Sequence, residues 1–223
     1  MRHPLLLAAA IGLLSFSNPA LAAKAPDTWD GLLKVKAKNF DVAYLLPQAD
    51  FRGYTKVMID RPEMAFRKNW ARDQDRRIDD AKIRKVLDEA SVTFGAILAD
   101  AYRQAGYEVV TAPGPDVLRL STAVINLSID APDQMSAGRS RSYSAEAGEG
   151  TLVVEARDSI SGAVLGRIVD RRVAGSGGPY MRTQMSNEAD FERLFRQWAK
   201  LSAGGLGELK ARSPIDQNGR PGG

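Results

Sequence analysis

Two stretches of this chain gather side chains suited to holding a partner. Arg139, Arg141 and Tyr143 stand in one, Tyr180 and Arg182 in the other, with Met135, Met181 and Met185 beside them. Arginine, tyrosine and methionine are the residue types enriched at binding surfaces. The rest of the chemical repertoire is narrow. Cysteine is absent, and the single histidine is His3. Beyond that position Ser-His-Asp and Cys-His nucleophiles are excluded, as are zinc sites built on imidazole or thiolate. What remains is carboxylate chemistry, Ser-Lys pairs and oxygen-only metal sites. No cofactor and no metal are expected.

Other patterns lose their chemistry on closer reading. Gly175-Ser176-Gly177-Gly178-Pro179-Tyr180 lacks the third glycine and the Lys-Ser/Thr pair of a nucleotide loop. Asp73, Asp75, Asp79 and Asp80 suggest calcium, but Arg77 and Ile78 occupy the positions where an EF-hand needs an oxygen donor and a glycine. Those carboxylates are better explained by pairing with Arg72, Arg76 and Arg77 and by capping the helix that follows. Arg139-Ser140-Arg141-Ser142 is far too short for a nucleic-acid footprint. Asp158, between Arg157 and Ser159, reads as a turn former, because Asp and Ser side chains bond nearby backbone amides. A glycosidase-like carboxylate pair stays open, since the separation that defines it is not readable in sequence.

The N-terminus carries a destination. Arg2 is followed by an apolar run from Leu5 to Leu14, a polar stretch from Ser15 to Pro19, and Ala20-Leu21-Ala22. That is the order of a secretory signal over residues 1–22, with Ala20 and Ala22 at the two cleavage-pocket positions. The apolar run is about half of the roughly 20 residues that cross a bilayer. A periplasmic protein without an integral membrane segment is therefore expected. Without cysteine it has no disulfides and no acceptor for an N-terminal lipid. The formal net charge is +4, one unit of which belongs to Arg2. Acidic and basic residues are interspersed, which is an ordinary solvated surface with a mild pull toward anions. Export argues against nucleic acid as a partner.

The elements that must position these residues follow from periodicity. The stretch Trp29–Leu46 has no clean period and reads as an irregular segment laid over the core. A first strand is predicted at about 54–60, with Pro62 marking an edge or an end. A helix starts at Asp79 or Asp80, where a carboxylate can cap free amides. Its stripe of Val86, Leu87, Ala90, Phe94, Ile97, Leu98, Ala101 and Tyr102 has three- and four-residue spacing, and Gly106 ends it. Strands are predicted at 107–111 and 117–130, the latter with a change of apolar phase that suggests a bulge. Residues 131–150 form a loop, and strands at 151–157 and 163–173 flank the turn 158–162. A loop at 175–186 leads to a last helix with Phe191, Leu194, Phe195 and Trp198 inward. Residues 23–212 form one domain, and 213–223 a disordered tail.

The order β-α-β-β-β-β-α predicts an α+β two-layer sandwich, with a mixed, mostly antiparallel sheet of about five strands and two helices on one face. Following strand direction through that order brings the loops 131–150 and 175–186 to one edge. The turns at 111–116 and 158–162 fall at the opposite edge.

Several stretches then resemble a known family. They are Asp50-Phe51-Arg52-Gly53-Tyr54-Thr55-Lys56-Val57-Met58-Ile59-Asp60, Ala105-Gly106-Tyr107-Glu108-Val109-Val110, and Pro113-Gly114-Pro115-Asp116-Val117-Leu118-Arg119-Leu120. Glu155-Ala156-Arg157-Asp158-Ser159-Ile160-Ser161-Gly162 and Trp198-Ala199 continue the pattern. Their order and spacing over about residues 30–210 resemble the Gram-negative envelope family termed domain of unknown function 3313. The resemblance implies an envelope location and supports the fold class. It carries no catalytic residues. Many members resemble lipoproteins, and this chain departs from them in having no lipid-acceptor cysteine.

Three functions stay open on these grounds. The first is a non-enzymatic binding or assembly module that holds an envelope protein or an anionic glycan or lipid through Arg139, Arg141, Tyr143, Tyr180 and Arg182. The same loop composition also suits arginines that serve only solubility. The second is a carboxylate-dependent hydrolase of cell-wall polymer, and the third a structural protein with no discrete site. Cleavage after Ala22 predicts a mature chain that begins at Ala23. N-terminal sequencing of the protein from a periplasmic extract checks this, and recovery of the uncleaved N-terminus there counts against export.

Overall fold

In the computed structural model, the apolar stripe from Val86 to Tyr102 is helix α1, Asp80–Gln104. Residues 25–70, 79–129, 143–144, 146–175, 180–181 and 184–219 are described. Asp79 caps α1 by accepting a hydrogen bond from the Ala81 amide at 3.1 Å. At the other end Gly106 takes φ +90°, the left-handed conformation that costs glycine little. The amides of Gly106 and Tyr107 then reach back to the carbonyls of Arg103 and Tyr102. This doubly bonded ending is sealed by contact between the rings of Tyr102 and Tyr107.

Strand β1 (Thr28–Trp29), β2 (Leu32–Val35) and β3 (Val42–Leu45) come first, then β4 (Lys56–Ile59) and β5 (Glu63–Phe66) before α1. After it come β6 (Glu108–Val110), β7 (Val117–Ile129), β8 (Tyr143–Ser144), β9 (Gly148–Asp158), β10 (Val164–Ala174) and β11 (Tyr180–Met181). Helix α2, Gln184–Ala211, closes the set. Nine strands make one mixed sheet in the order β1-β2-β3-β10-β9-β7-β4-β6, with β5 also paired to β7. The chain is α+β as expected, but the sheet has nine strands rather than about five.

The difference has two sources. The segment expected to be irregular, Trp29–Leu46, supplies β1, β2 and β3 as successive antiparallel additions beside β10. Its strands escape a period-two reading because β3 is covered on both faces. Leu45 faces the helices in the main core. Tyr44 sits under Trp29, their rings 5.6 Å apart, and its hydroxyl donates to the Pro26 carbonyl. Burial on both faces removes the alternation that marks a strand. The second source is Pro62. The first strand does stop before it, but the chain resumes as β5 and pairs in parallel with the same β7 further along.

The bulge expected in the long strand lies at Asn126, at φ 54°. There the β7–β9 register shifts between Ile125 and Ser128. Just beyond it Gly148 is required by space. A Cβ at that position would stand 1.9 Å from the Ser128 carbonyl oxygen, and φ is +148°. The tail expected to lack structure from Ser213 is packed as far as Gly219. Ile215 is 2% exposed, and its amide donates to the Ala49 carbonyl at 2.8 Å. The apolar side chain at 215 decides this against the surrounding polar composition.

Both helices lie against one face of the sheet and against each other. Phe94 of α1 meets Phe195 and Trp198 of α2 at ring separations of 4.7 and 6.5 Å. The hydroxyls of Tyr102 and Ser202 share a buried hydrogen bond of 2.7 Å. On the sheet beneath, the Asp170 carboxylate accepts from the Trp198 indole at 2.8 Å, from Arg172 at 2.5 Å and from the Asp41 amide at 3.2 Å. Replacing Asp170 with Ala leaves those donors facing a void. The expected loss is about 3–5 kcal/mol, typical of removing one partner from a buried ion pair. Urea unfolding measures it, and Asp170→Asn, which keeps an acceptor for the indole, is expected to lose less.

Candidate functional site

Antiparallel pairing of β7 with β9 and of β9 with β10 decides where the loops fall. Ile129 and Ala174 are both register partners of Gly148. The end of β7, the start of β9 and the end of β10 therefore share one edge, as the strand order implies. At that edge β8 and β11 form a second, two-stranded antiparallel sheet, in which Tyr180 pairs with Ser144 and Met181 with Tyr143. The backbone thus draws together the two stretches that carry the predicted binding residues. Tyr143 and Tyr180 lie on this ribbon. Arg139, Arg141 and Arg182, with Met135, lie outside the described residues, as do Asp73, Asp75, Arg72, Arg76 and Arg77.

At the opposite end of the same strands is a groove of about 670 Å³ on the sheet face away from the helices. Its residues alternate with core residues, one strand position out of phase. On β7, Arg119, Ser121 and Ala123 face the groove while Leu118, Leu120 and Val124 enter the core. On β9, Val153, Glu155 and Arg157 do the same between Leu152, Val154 and Ala156. Cross-strand register arranges them in rows: Arg119 opposite Arg157, Ser121 opposite Glu155, and Ala123 opposite Val153 and Glu63.

Charge in these rows is paired. Asp60 accepts from Arg119 Nε at 3.0 and 2.9 Å and from Ser121 Oγ at 2.7 Å. Glu155 binds both Arg157 and Arg167. The side chains of Glu155 and Arg167 are only 9% and 8% exposed, so each needs the other. Arg167 also reaches Asp30 at 3.1 Å and stacks 3.9 Å from the centre of the Trp29 ring. Arg61 turns toward α1, where it pairs with Asp88 and donates to Ser91 Oγ.

Asp158 is a turn former. Its Oδ1 accepts from the Ile160 and Ser161 amides at 3.2 and 2.7 Å and from the Ser161 hydroxyl at 2.8 Å. These bonds, the Ser161 amide first, hold its carboxyl below the usual range, with the Tyr54 hydroxyl donating to Oδ2 at 2.9 Å. Burial, and then that same bond, push the Tyr54 phenol upward. A carboxylate held ionised in this way is a poor general acid. Among the described residues no group of three or more ligating side chains is placed to hold a metal.

Sequence reading passed over Asp60, Arg119, Glu155 and Arg157 as site residues. The signal was present: period-two alternation in 117–125 and 151–157 puts charge on the face opposite the apolar set. What it lacked was the pairing of β7 with β9 in register, which alone brings the arginines together.

The family described as a protein of unknown function, DUF3313, matches residues 27–202. The chain belongs to this family. No curated protein matches it at significance. Among solved structures this DUF3313 chain is similar to the PelC dodecamer from Paraburkholderia phytofirmans. That likeness has 16% identity and a TM-score of 0.37, over 72% of this chain and 94% of that one. It is also similar to a putative neuraminyllactose-binding hemagglutinin homolog from Helicobacter pylori, at 12% identity and a TM-score of 0.39, over 74% and 89%. Protein XCC0632 from Xanthomonas campestris shares 13% identity at a TM-score of 0.40, over 75% and 91%.

Asp158 links the groove to pH. A carboxyl depressed in the folded state adds stability above its unfolded value, near 3.9, and that gain is lost as pH falls through the folded value. Asp158→Asn is therefore expected to cost under about 1 kcal/mol at pH 7, because the turn is solvated. The difference from wild type should shrink as pH falls through the depressed folded value and close below it. Urea unfolding of both proteins across pH 2.5–7 checks it. A gap that widens in acid contradicts the assignment.

Proposed function

We propose that this DUF3313 protein is an exported periplasmic component that binds or assembles with a partner and does no chemistry on it. The binding surface is the edge formed by loops 131–150 and 175–186, with Arg139, Arg141, Tyr143, Tyr180 and Arg182 as its contact residues. The observation that carries the reading is the β8–β11 ribbon, which ties the two loops together at one end of β7, β9 and β10. Loops held by a rigid sheet are where binding residues concentrate, since the scaffold bears the ordering cost in advance. Arginine suits an anionic envelope component or an acidic protein surface, and tyrosine brings rigid contact area.

A hydrolase is the weaker reading. The groove's Asp60, Glu155 and Asp158 each accept from arginines or turn donors, so these three carboxylates are engaged in holding the sheet and its turn. Among the described residues no helix is long and apolar enough to cross a membrane, in keeping with a protein that meets its partner by docking.

Crosslinking in intact cells tests the proposal. Arg139, Arg141 and Arg182 are changed together to Glu, and crosslinked species are compared with wild type. A specific adduct lost in the variant, at unchanged protein level, is the expected result. The same adduct from both proteins removes the loop edge from the function, and no adduct from either removes the binding role.

A further inference from the structure

The turn edge of the sheet is uncharged at its tip. Thr111-Ala112-Pro113-Gly114-Pro115, between β6 and β7, and Ser159-Ile160-Ser161-Gly162-Ala163, between β9 and β10, carry no charged side chain. Ser159 joins the two turns. Its hydroxyl donates to the Gly114 carbonyl at 3.0 Å and accepts from the Gly114 amide at 3.1 Å. Its own amide donates to the Val117 carbonyl at 3.3 Å. At the tip Ile160 is 66% exposed, the most of any large apolar side chain among the described residues. Ala112, Pro113, Pro115 and Ala163 on the joined turns are exposed as well.

A lone exposed isoleucine is ordinary. The turn that carries it is unusual in asking nothing of water for its donors. Every backbone N–H from Asp158 to Ala163 is bonded within the protein. Asp158 donates to the Ala163 carbonyl, Ser159 to the Val117 carbonyl and Gly162 to the Asp158 carbonyl. Ile160 and Ser161 donate to Asp158 Oδ1, and Ala163 to Ser161 Oγ. The Ser161 hydroxyl donates to that same carboxylate oxygen. On the neighbouring turn Pro113 and Pro115 have no N–H, and that of Gly114 goes to Ser159. In bulk water such donors can be left to solvent, but beside hydrocarbon each open one is costly. The one charge at the base, the Asp158 carboxylate, is shared among four donors, with the Tyr54 hydroxyl on Oδ2.

We infer that the turn edge contacts a lipid bilayer, with Ile160 entering the boundary between headgroups and acyl chains and Pro113 and Pro115 resting on it. The carbonyls of Ile160 and Ser161 stay open to water, which keeps the insertion at headgroup depth. The contact is made by apolar burial. Charge around this edge is already paired: Lys56 with Glu108 and Asp116, Arg52 with Asp50, and Arg157 with Glu155. Anionic lipid therefore gains nothing over neutral lipid. Sheet geometry gives the contact a consequence. β9 has 11 residues, about 36 Å at about 3.3 Å per residue. A chain seated by its turn edge thus holds the loop edge clear of the bilayer, and the loop edge takes no part in the contact.

Flotation of the mature protein with phosphatidylcholine vesicles tests this. Wild type is expected to float with the vesicles, weakly and equally at low and high salt, because apolar insertion is not screened. Ile160→Ser is expected to lower the partition coefficient about tenfold, since much of the isoleucine's burial is forfeited. The side chain is exposed, and a thermal melt confirms that the variant folds. Ile160→Trp should still float, and its added emission should shift to the blue when vesicles are supplied. Arg139, Arg141 and Arg182 changed together to Glu should float as wild type does, which separates this contact from the loop edge. No flotation of wild type at any lipid concentration overturns the inference, as does an Ile160→Trp emission that vesicles leave unshifted. So does flotation that needs anionic vesicles, is reversed by salt and is unchanged in Ile160→Ser, which would trace the lipid contact to basic side chains.

Discussion

A carboxylate buried among apolar side chains is the constraint on which this architecture turns. Asp170 projects from the core face of β10 and is 2% exposed. An isolated charge in that position would be prohibitively costly, so the fold holds only where its donors are all present. Those donors come from three places. Trp198 arrives on α2, Arg172 on β10 itself, and the Asp41 amide from the connection between β2 and β3. Asp41 answers by accepting from the Arg171 amide at 2.8 Å, and Arg172 also donates to the Asn39 carbonyl. One group thereby couples the last helix, the middle of the sheet and the N-terminal strands. Around it Trp198, Phe94 and Phe195 supply the apolar burial that no single polar contact could.

The two faces of the sheet solve different problems with the same alternation. Toward the helices, Leu118, Leu120, Leu152 and Val154 pack in the core. Away from them the corresponding positions carry Arg119, Ser121, Glu155 and Arg157, joined by Arg167 on the next strand. Arg167 is covered there by the N-terminal strap, through Trp29 and Asp30. β1 to β3 are therefore more than an appended edge. They seal an ionic row that would otherwise be solvated, and a sealed row is stronger but less forgiving of a missing partner.

What was legible in the sequence follows from this division. Helix α1 announced itself because one face is apolar and the other wet, and its Asp79 cap and Gly106 ending are local chemistry. The phase change in 117–129 was readable as a bulge, since Asn126 shifts the apolar set by one position. Strands β2 and β3 were hidden because Tyr44 is as buried as Leu45, so nothing alternates. The packed tail was hidden behind polar composition, with Ile215 as its one apolar signal. The convergence of the two loops followed from strand direction alone. The groove did not, because it exists only through the pairing of Arg119 with Arg157 and Ser121 with Glu155, and register between distant strands is a tertiary fact.

The ionic row bears on the next register, that of β9 with β10, where Arg167 stands opposite Glu155. A slip of one residue between β7 and β9 would turn Glu155 and Arg157 into the core and Val154 toward solvent. On an all-apolar sheet a slip of two residues would cost less, since the faces would be conserved. Here it would not. Moving β9 by two places along β7 puts Val153 or Arg157 opposite Ser121, and moving β10 by two along β9 takes Arg167 from Glu155. Buried ion pairs add little net stability, but they discriminate sharply between near-equivalent alignments. Gly148 fixes the alignment of β9 with β7 by space, against the Ser128 carbonyl, where no other residue has room. It therefore sets where β9 begins, where the ribbon of β8 and β11 can form, and how the loops at that edge meet. The charges in the groove and the loops at the far end are two consequences of one alignment.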